Sequence, residues 1–316
     1  MAHRPVALVG ATASGKSAVA MDVARLWDGV EIVSVDSMQV YRGMDIGTAK
    51  PAAAERAEVP HHLIDLLEPW EPFDVARFQA EVRRSLANIS ARHRRALLVG
   101  GTGLYHRAII DELNIPGQFP DVRADLDADP DTAALHRRLV ELDPVAASRM
   151  EATNRRRVLR ALEVTIGSGG PFSASGPGLD TYAEGAITQV GLAVEPPILS
   201  TRIDHRVAAM IESGLVDEVR RLLATLAADG RAFSRTAAQA LGYRELTAHL
   251  RGEVDLAAAI DHTVHRTRQF ARRQRSWFRR DPRITWVDAT AGPGAALPEV
   301  VVAVAQHWGP PIDDPA

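Results

Sequence analysis

The sequence contains no cysteine, which excludes disulfide bonds, thiol nucleophiles and zinc sites with cysteine ligands. It also lacks an apolar run of about 20 residues, so we expect no membrane-spanning helix. The first residues lead into a glycine loop instead of a small-residue cleavage site, which argues against a signal peptide. Hydrophobic residues make up 46% and charged residues 24% of the 316 residues, as in ordinary globular proteins. We predict a cytoplasmic protein of one or two domains.

Lysine is almost absent, because Lys16 and Lys50 are the only lysines among the 37 basic residues. A lysine ammonium is a compact point charge, and in a chain that otherwise uses arginine its presence indicates a specific use. Lys16 is therefore a candidate functional residue. The net charge of −3 does not suggest a nucleic-acid partner, but association depends on local patches of charge and not on the average.

Short apolar runs at residues 6–9, 31–35, 96–99 and 187–194 predict buried strands. Amphipathic patterns predict a helix after the first run, to about Leu26, and another over residues 73–93 with Asp74 as its N-cap. Strand, glycine turn and helix alternate, which predicts an α/β fold of the P-loop NTPase-like kind, a parallel sheet with flanking helices. The sequence beyond residue 194 is mostly helical in pattern.

The pattern changes along the chain and predicts three parts. Residues 1–112 are expected to form a P-loop core. Residues 113–180 lack strand patterns and carry several prolines between charged helical segments, which predicts a helical insertion domain with a Gly/Pro-rich linker at its end. Residues 181–316 are expected to return to the core and then to form a basic helical C-terminal region.

Residues 10–17 match the phosphate-binding pattern G-x-x-x-x-G-K-[ST]. In such a loop, backbone N–H groups and the following helix N-terminus bind phosphate oxygens. Lys16 would reach the terminal phosphates, and the Ser17 hydroxyl would bind Mg²⁺. The predicted phosphate-binding residues are Gly10, Ala11, Thr12, Ala13, Ser14, Gly15, Lys16 and Ser17.

Asp36 follows the second predicted strand, and the carboxyl ends of parallel strands line the ligand crevice. It is a candidate general base or metal ligand, although an aspartate there can also simply cap a turn. An ordinary P-loop ATPase would carry an acid for Mg²⁺ at the end of an apolar strand. Here the third strand ends in glycines and Thr102 instead.

Residues 262–280 contain seven arginines and no acid, interleaved with Phe270, Trp277 and Phe278. Cations and rings on one helix face suit phosphodiester backbone and exposed bases. A second arginine cluster lies at residues 155–160. Either cluster alone could be a solvated surface. His61 and His62 lack a third ligand at metal-site spacing, which favours a structural role, and residues 242–245 indicate a turn and a helix start.

Six segments together resemble the bacterial tRNA dimethylallyltransferases, also called tRNA isopentenyltransferases, over nearly the whole chain. The most specific is DSMQVYRGMDIGTAKP at residues 36–51. The others are HHLID at 61–65, VGGTGLY at 99–105, RALEV at 160–164, LGYRE at 241–245 and ARRQRSWF at 271–278. Ala11 and Ser17 stand where family members often have proline and threonine, and neither change removes a needed group.

The resemblance implies transfer of a dimethylallyl group from dimethylallyl diphosphate to N6 of adenosine 37 in the tRNA anticodon stem-loop. Asp36 would take the N6 proton, Thr102 would lie beside the transfer site, and Arg123 would contact substrate. The expected tRNA-binding residues are Asp36, Ser37, Met38, Gln39, Thr102, Arg123, Arg155, Arg156, Arg160, Arg244, Arg272 and Arg273. The expected cofactor is Mg²⁺ at Ser17, and a monomer would suffice because one chain holds both substrate sites.

Two other functions remain open from the residues alone. A small-molecule kinase or ATPase would share the phosphate loop and transfer the γ-phosphoryl group of ATP. A nucleotide-gated RNA-binding protein would use the arginines without catalysing transfer, and Asp36 would then be dispensable for turnover.

Overall fold

A computed structural model describes residues 3–176, 178–179, 181–183 and 185–312. Pro177 and Asp180, at the end of the predicted insertion, lie outside the described residues. The outermost residues of the two predicted core ranges, 1–2 and 313–316, also lie outside them.

In the described part of the chain, six strands form one parallel sheet. They are β1 (Val6–Gly10), β2 (Val30–Val35), β3 (His61–His62), β4 (Arg95–Gly100), β5 (Thr188–Ala193) and β6 (Ile284–Asp288). Their order across the sheet is β3-β2-β4-β1-β5-β6, and every neighbouring pair is parallel. The predicted α/β fold with a P-loop-like parallel sheet is confirmed.

Two strands, β3 and β6, were not predicted from the sequence. Strand β3 has only two residues, too few to give a pattern. In the edge strand β6, Ile284 and Val287 are buried while Thr285 and Trp286 are exposed. This burial is neither a continuous apolar run nor a regular alternation, so sequence periodicity does not indicate it.

The described residues also form a series of α-helices. They are α1 (Lys16–Leu26), α2 (Ala53–Glu58), α3 (Val75–Ala91), α4 (Gly103–Ile110), α5 (Pro120–Asp127), α6 (Thr132–Leu142), α7 (Pro144–Ser148), α8 (Arg155–Ser168), α9 (Pro196–Glu212), α10 (Leu215–Ala228), α11 (Tyr243–Leu250), α12 (Leu256–Phe278) and α13 (Pro293–Trp308). Asp74 caps α3 as predicted, because its side chain accepts the N–H of Arg77 at 2.9 Å. None of these helices is both long and apolar enough to cross a bilayer.

Alternate residues of the central strands pack into two hydrophobic clusters. Val6 and Leu8 of β1 join a cluster with α1, α9 and α13. Ala7, between them, joins a cluster with α3, α4, α10 and α11. Because side chains alternate along a strand, these clusters lie on opposite faces of the sheet. The continuous apolar runs of the central strands follow from burial on both faces.

Residues 111–183 form a compact unit of their own, and the remaining residues form the other unit. We call residues 111–183 the second unit. Its described residues contain α5 to α8, a short 3₁₀ helix and no strand. Its core includes Leu126, Leu139 and Leu162. Side chains of Asp131 and Asp143 cap α6 and α7, which fixes where these short helices begin.

His62 has a structural role in the core unit. Its Nε2 lies 2.7 Å from a carboxylate oxygen of Glu31, which is buried in β2. Arg92 donates two further bonds to the same carboxylate, at 2.7 and 2.8 Å. Burial raises the pKa of Glu31, but the hydrogen bonds from Arg92 and His62 outweigh it and leave the pKa lowered. The interpretation of the histidine pair as structural is consistent with these contacts.

Candidate active site

The phosphate loop, Asp36 and Thr102 lie along one edge of the sheet. The loop follows β1, Asp36 follows β2 and Thr102 comes two residues after β4. These three strands are parallel neighbours in the order β2-β4-β1, so their carboxyl ends meet at this edge. This is the edge where open α/β sheets bind their ligands.

The phosphate loop has the backbone of an anion-binding turn. Ala13 and Gly15 are both left-handed, with φ values of 63° and 92°, and α1 begins immediately afterwards at Lys16. Alternation of this kind turns successive N–H groups toward one point. The Ser14 hydroxyl is buried without a hydrogen-bond partner among the described residues, and such groups are rarely left unpaired in proteins. The loop thus offers donors for a phosphate group.

Lys16 is folded back onto the loop, where its Nζ donates to the carbonyl oxygen of Ala11 at 2.6 Å. Burial, with a contribution from the charge of Arg206, lowers the pKa of Lys16 to about 7, and the charge of Asp36 opposes this shift. Lys16 thus lies within electrostatic range of both Arg206 and Asp36.

Arg206, in the middle of α9, was not identified from the sequence. Its guanidinium makes no hydrogen bond or ion pair with any residue that the structure describes. Burial lowers its pKa, and the charge of Asp36 partly offsets this effect. A desolvated cation without a partner is costly, so Arg206 is a candidate anion-binding residue. The sequence offered no signal for it beyond two arginines four residues apart on one helix.

The Asp36 carboxylate is divided between two roles. Its Oδ1 accepts the N–H groups of Met38 at 2.8 Å and Gln39 at 3.3 Å, which makes the Asx turn considered as the alternative for this residue. Its Oδ2 has no hydrogen-bond partner among the described residues. One oxygen therefore fixes the side chain, while the other remains available to a substrate.

The segment after Asp36 is held in place by hydrogen bonds to the side chains of Gln39 and Glu218. Gln39 accepts from Ser34 at 2.7 Å and donates to the carbonyls of residues 48 and 49. Glu218 of α10 accepts the N–H groups of residues 45–47, at 2.8 to 3.3 Å, and the hydroxyl of Tyr243 at 2.5 Å. Gly47 is required here, because a Cβ would lie 2.4 Å from the Tyr243 ring. Glu218 was another residue that the sequence did not reveal.

Lys50, the second lysine, is a structural residue. Its side chain is 2% exposed, and its Nζ donates to the Tyr41 carbonyl and to the carboxylates of Asp45 and Asp65, at 2.6 to 2.7 Å. Three acceptors around one point suit an ammonium better than a planar guanidinium. The two lysines of this chain therefore have different roles, Lys16 in the phosphate loop and Lys50 in the fold.

The residues at this edge are compatible with Mg²⁺ held largely by a bound diphosphate. No group of three or more histidine or acidic side chains that could hold a metal occurs in the described ranges. Magnesium does not need such a group, since it keeps several waters and uses few protein ligands together with substrate phosphates. Ser17 is exposed at the start of α1, where its hydroxyl is a candidate ligand. The free Oδ2 atom of Asp36 is the candidate for a second, acidic ligand.

The C-terminal end of α12 carries a basic patch, defined here as Arg272, Arg273, Arg279 and Arg280. All four are exposed, and none forms an ion pair among the described residues. Arg244, on α11, is likewise exposed. Helical spacing predicts that Arg266, Phe270, Arg273 and Trp277 share a face, and the Arg273 guanidinium lies 5.8 Å from the centre of the Phe270 ring. Phe278, in the same run, is 1% exposed and packs with Val9 and Ile284 instead.

Three of the four predicted arginines of the second unit have partners within that unit. Arg123 donates to Asp127 at 2.9 Å, and Arg160 donates to Glu163 at 2.6 Å and to the Pro116 carbonyl at 2.8 Å. Arg155 donates to the Asp127 carbonyl at 3.1 Å. Arg156 is exposed and forms no ion pair with the described residues. Three of these four side chains therefore support the fold of the unit directly.

Comparison with known proteins gives two matching family models. Residues 39–281 match the model described as IPP transferase, and residues 4–64 match the one described as isopentenyl transferase. The chain belongs to the IPP transferase family. The resemblance found in the sequence is thereby confirmed.

Relatives of this chain cover most of its length. A tRNA dimethylallyltransferase of Nocardioides sp. is 51% identical over 89% of this chain and 90% of the relative. One of Corynebacterium jeikeium is 42% identical over 96% and 98%. The crystal structure of a tRNA isopentenylpyrophosphate transferase from Bacillus halodurans has a TM-score of 0.68 at 38% identity, over 97% of this chain and 98% of the other. The prediction of a transferase is confirmed.

Proposed function

We propose that the protein transfers a dimethylallyl group from dimethylallyl diphosphate to N6 of adenosine 37 in tRNA. The observation that carries this proposal is that Lys16 and Asp36 lie at the same edge of the sheet, with Arg206, unpaired among the described residues, within electrostatic range of both. Two cations beside a phosphate loop suit a diphosphate leaving group. A carboxylate with one free oxygen suits an amine that must lose a proton.

In the proposed reaction, N6 of the adenosine attacks C1 of the donor, the C1–O bond breaks and diphosphate leaves. The Asp36 carboxylate accepts the N6 proton, as general bases do when held within hydrogen-bond reach. The phosphate loop, Lys16 and Arg206 stabilise the charge that develops on the leaving diphosphate. Mg²⁺, bound through Ser17 and the diphosphate, would supply further charge neutralisation.

A cavity of about 510 Å³ beside Arg206 supports a donor with an apolar end. The cavity is lined by Arg206, by the charged residues Asp45, Lys50 and Arg56, by Ser213, and by the apolar residues Ile46, Ala49, Pro51, Ala52, Ala53, Ala209 and Met210. The apolar part of this lining suits a short hydrocarbon chain, and the Arg206 cation suits an anionic group.

The test of this function mixes the protein with Mg²⁺, dimethylallyl diphosphate and unmodified tRNA bearing adenosine 37. The RNA is then digested and dimethylallyl-adenosine is sought by mass. A product that requires the donor supports the proposal. ATP hydrolysis or a phosphorylated small molecule in place of that product would favour the kinase alternative.

Donor affinity is expected to depend on pH through Lys16. Because the pKa of Lys16 is lowered to about 7, the free enzyme holds a neutral amine above that pH, whereas the bound diphosphate favours the ammonium. Binding then takes up a proton, so affinity falls as pH rises through 7, by up to roughly tenfold per pH unit. Calorimetric titration with dimethylallyl diphosphate between pH 6 and 9 measures this slope.

Lys16→Met is the control for the pH dependence. This variant binds the donor more weakly at pH 6, and the Lys16 contribution to the slope is lost. An affinity of the unaltered protein that stays constant between pH 7 and 9 would contradict the prediction.

Binding of tRNA is expected to weaken steeply with salt because of the basic patch on α12. Each phosphate contact contributes a slope of about −0.7 to −0.9 to the dependence of log affinity on log salt concentration. The double variant Arg272→Ala/Arg273→Ala should reduce the slope by about 1.5. Fluorescence anisotropy with a labelled anticodon stem-loop, between 50 and 300 mM salt, provides the measurement.

The matched control for the patch is Arg268→Ala. Arg268 lies on the same helix but is paired with Asp204 at 2.6 Å, so its removal leaves the salt slope unchanged. If the double variant kept the full slope, Arg272 and Arg273 would be a solvated surface and nothing more.

A further inference from the structure

Gln274 of α12 joins two loops of the candidate active site. Its Oε1 accepts the backbone N–H of Thr12, in the phosphate loop, at 2.8 Å. Its Nε2 donates to the carbonyl oxygen of Gly101, beside Thr102, at 2.8 Å. Only this orientation of the amide satisfies both partners, since the reversed amide would set N–H against N–H and oxygen against oxygen. The side chain is buried, with 6% of the residue exposed.

The contact with the Thr102 turn leaves no spare room. A Cβ at Gly101 would lie 2.4 Å from Gln274 Nε2 and 3.0 Å from the Gly10 carbonyl oxygen. One helical turn later, Trp277 packs against Gly103, where a Cβ would lie 2.3 Å from its ring. Side chains of α12 therefore pack closely against both glycines that flank Thr102. Thr102 is held between two fixed points on the same helix.

The geometry points to Gln274 as a positioning residue for group transfer, which rests on the function proposed above. One planar amide sets the separation between the loop that binds the diphosphate and the turn that carries Thr102. The donor carbon and the adenosine nitrogen must meet across this separation. Gln274 itself reaches the substrates only through Thr12 and Gly101.

Gln274 is suited to this role by chemistry as well as by place. The link requires an acceptor on one side and a donor on the other, and few side chains provide both in one rigid group. Methionine has nearly the same length but provides neither strong donor nor strong acceptor. Its introduction leaves the Thr12 N–H and the Gly101 carbonyl unpaired in a buried place, so both loops must shift to find other partners.

Gln274→Met is expected to lower kcat by about 10- to 100-fold, because a misplacement of about 1 Å between reacting groups has an effect of this size. The KM values for donor and tRNA should stay within about threefold, since Lys16, Arg206 and the basic patch remain in place. Gln269→Met is the matched control. Gln269 lies on the same helix, and its side chain hydrogen-bonds only with His265 among the described residues, at 2.7 Å, so its replacement leaves kcat unchanged.

A second measurement tests the link without turnover. Hydrogen exchange of the Thr12 amide is expected to accelerate in Gln274→Met and not in Gln269→Met, because its acceptor has been removed. The amide of Leu8, inside β1, serves as an internal reference and keeps its protection in both variants.

The two measurements separate the possible failures. Faster Thr12 exchange together with a fall in kcat at steady KM supports the positioning role. Unchanged kcat in Gln274→Met overturns it, and so does a fall in kcat accompanied by matching rises in both KM values, which would indicate general loosening. Absence of product from the unaltered protein would instead contradict the proposed function, whatever the exchange rates show.

Discussion

Asp36→Asn is expected to lower turnover about 10²- to 10⁴-fold, the usual contribution of a general base. Asparagine removes the basic carboxylate, but its side-chain oxygen can still accept the N–H groups that Oδ1 of Asp36 accepts from Met38 and Gln39. The turn is therefore preserved and tRNA affinity stays nearly constant. Single-turnover rates at saturating donor and tRNA measure the chemical step directly.

Asp36→Ala is the companion variant, because it removes both the base and the turn. We expect it to match the asparagine variant in rate and to bind tRNA more weakly, since the segment 37–39 loses its cap. Turnover close to normal in Asp36→Asn would assign the carboxylate to the turn alone and would favour a protein that binds RNA without transfer.

Arg206→Gln is expected to raise the KM for dimethylallyl diphosphate about 10- to 100-fold, the range of a lost charge-assisted hydrogen bond. The KM for tRNA should not change. The same variant should raise the melting temperature of the unliganded protein by a few degrees, because it removes a desolvated charge that has no partner among the described residues. Steady-state kinetics and thermal unfolding without ligand test the two effects.

Arg202→Gln is the matched control, one turn earlier on α9. Arg202 donates to the carbonyls of Ala289 and Thr290, at 3.0 and 2.8 Å, so its loss destabilises the protein and leaves donor affinity unchanged. If Arg206→Gln behaved in the same way, Arg206 would be a structural residue and the diphosphate would rely on the phosphate loop and Lys16.

The sheet edge could be predicted because its signals are local. Each central strand is an apolar run that ends at a residue with different chemistry, and the glycine pattern at 10–17 specifies its own backbone. Asp36 could be placed at the edge from strand order alone. The sequence could not decide between base and turn for Asp36, and the structure shows that one carboxylate can serve both roles.

The residues that the sequence analysis did not identify interact with parts of the chain that are far away in the sequence. Arg206, Glu218 and Gln274 each lie on amphipathic helices, where periodicity shows which face is buried but not which polar side chain points into the sheet edge. The sequence showed Gly101 and Gly103 only as part of a glycine turn after a strand, whereas their lack of side chains follows from the close packing of α12. The partners of Arg123 and Arg160 are hidden in the same way, because ordinary charge patterning cannot show whether an arginine is already paired.

Strand β1 lies between β4 and β5, and residues 111–183 are synthesised between those two neighbours. At typical elongation rates of 5–20 residues per second, roughly 10–40 s separate the emergence of β1 from that of β5. During this interval one hydrogen-bonding edge of β1 has no partner strand, and an open edge of this kind promotes association with other chains. The hydrogen bonds on that edge of β1 can therefore form only after β5 has been synthesised.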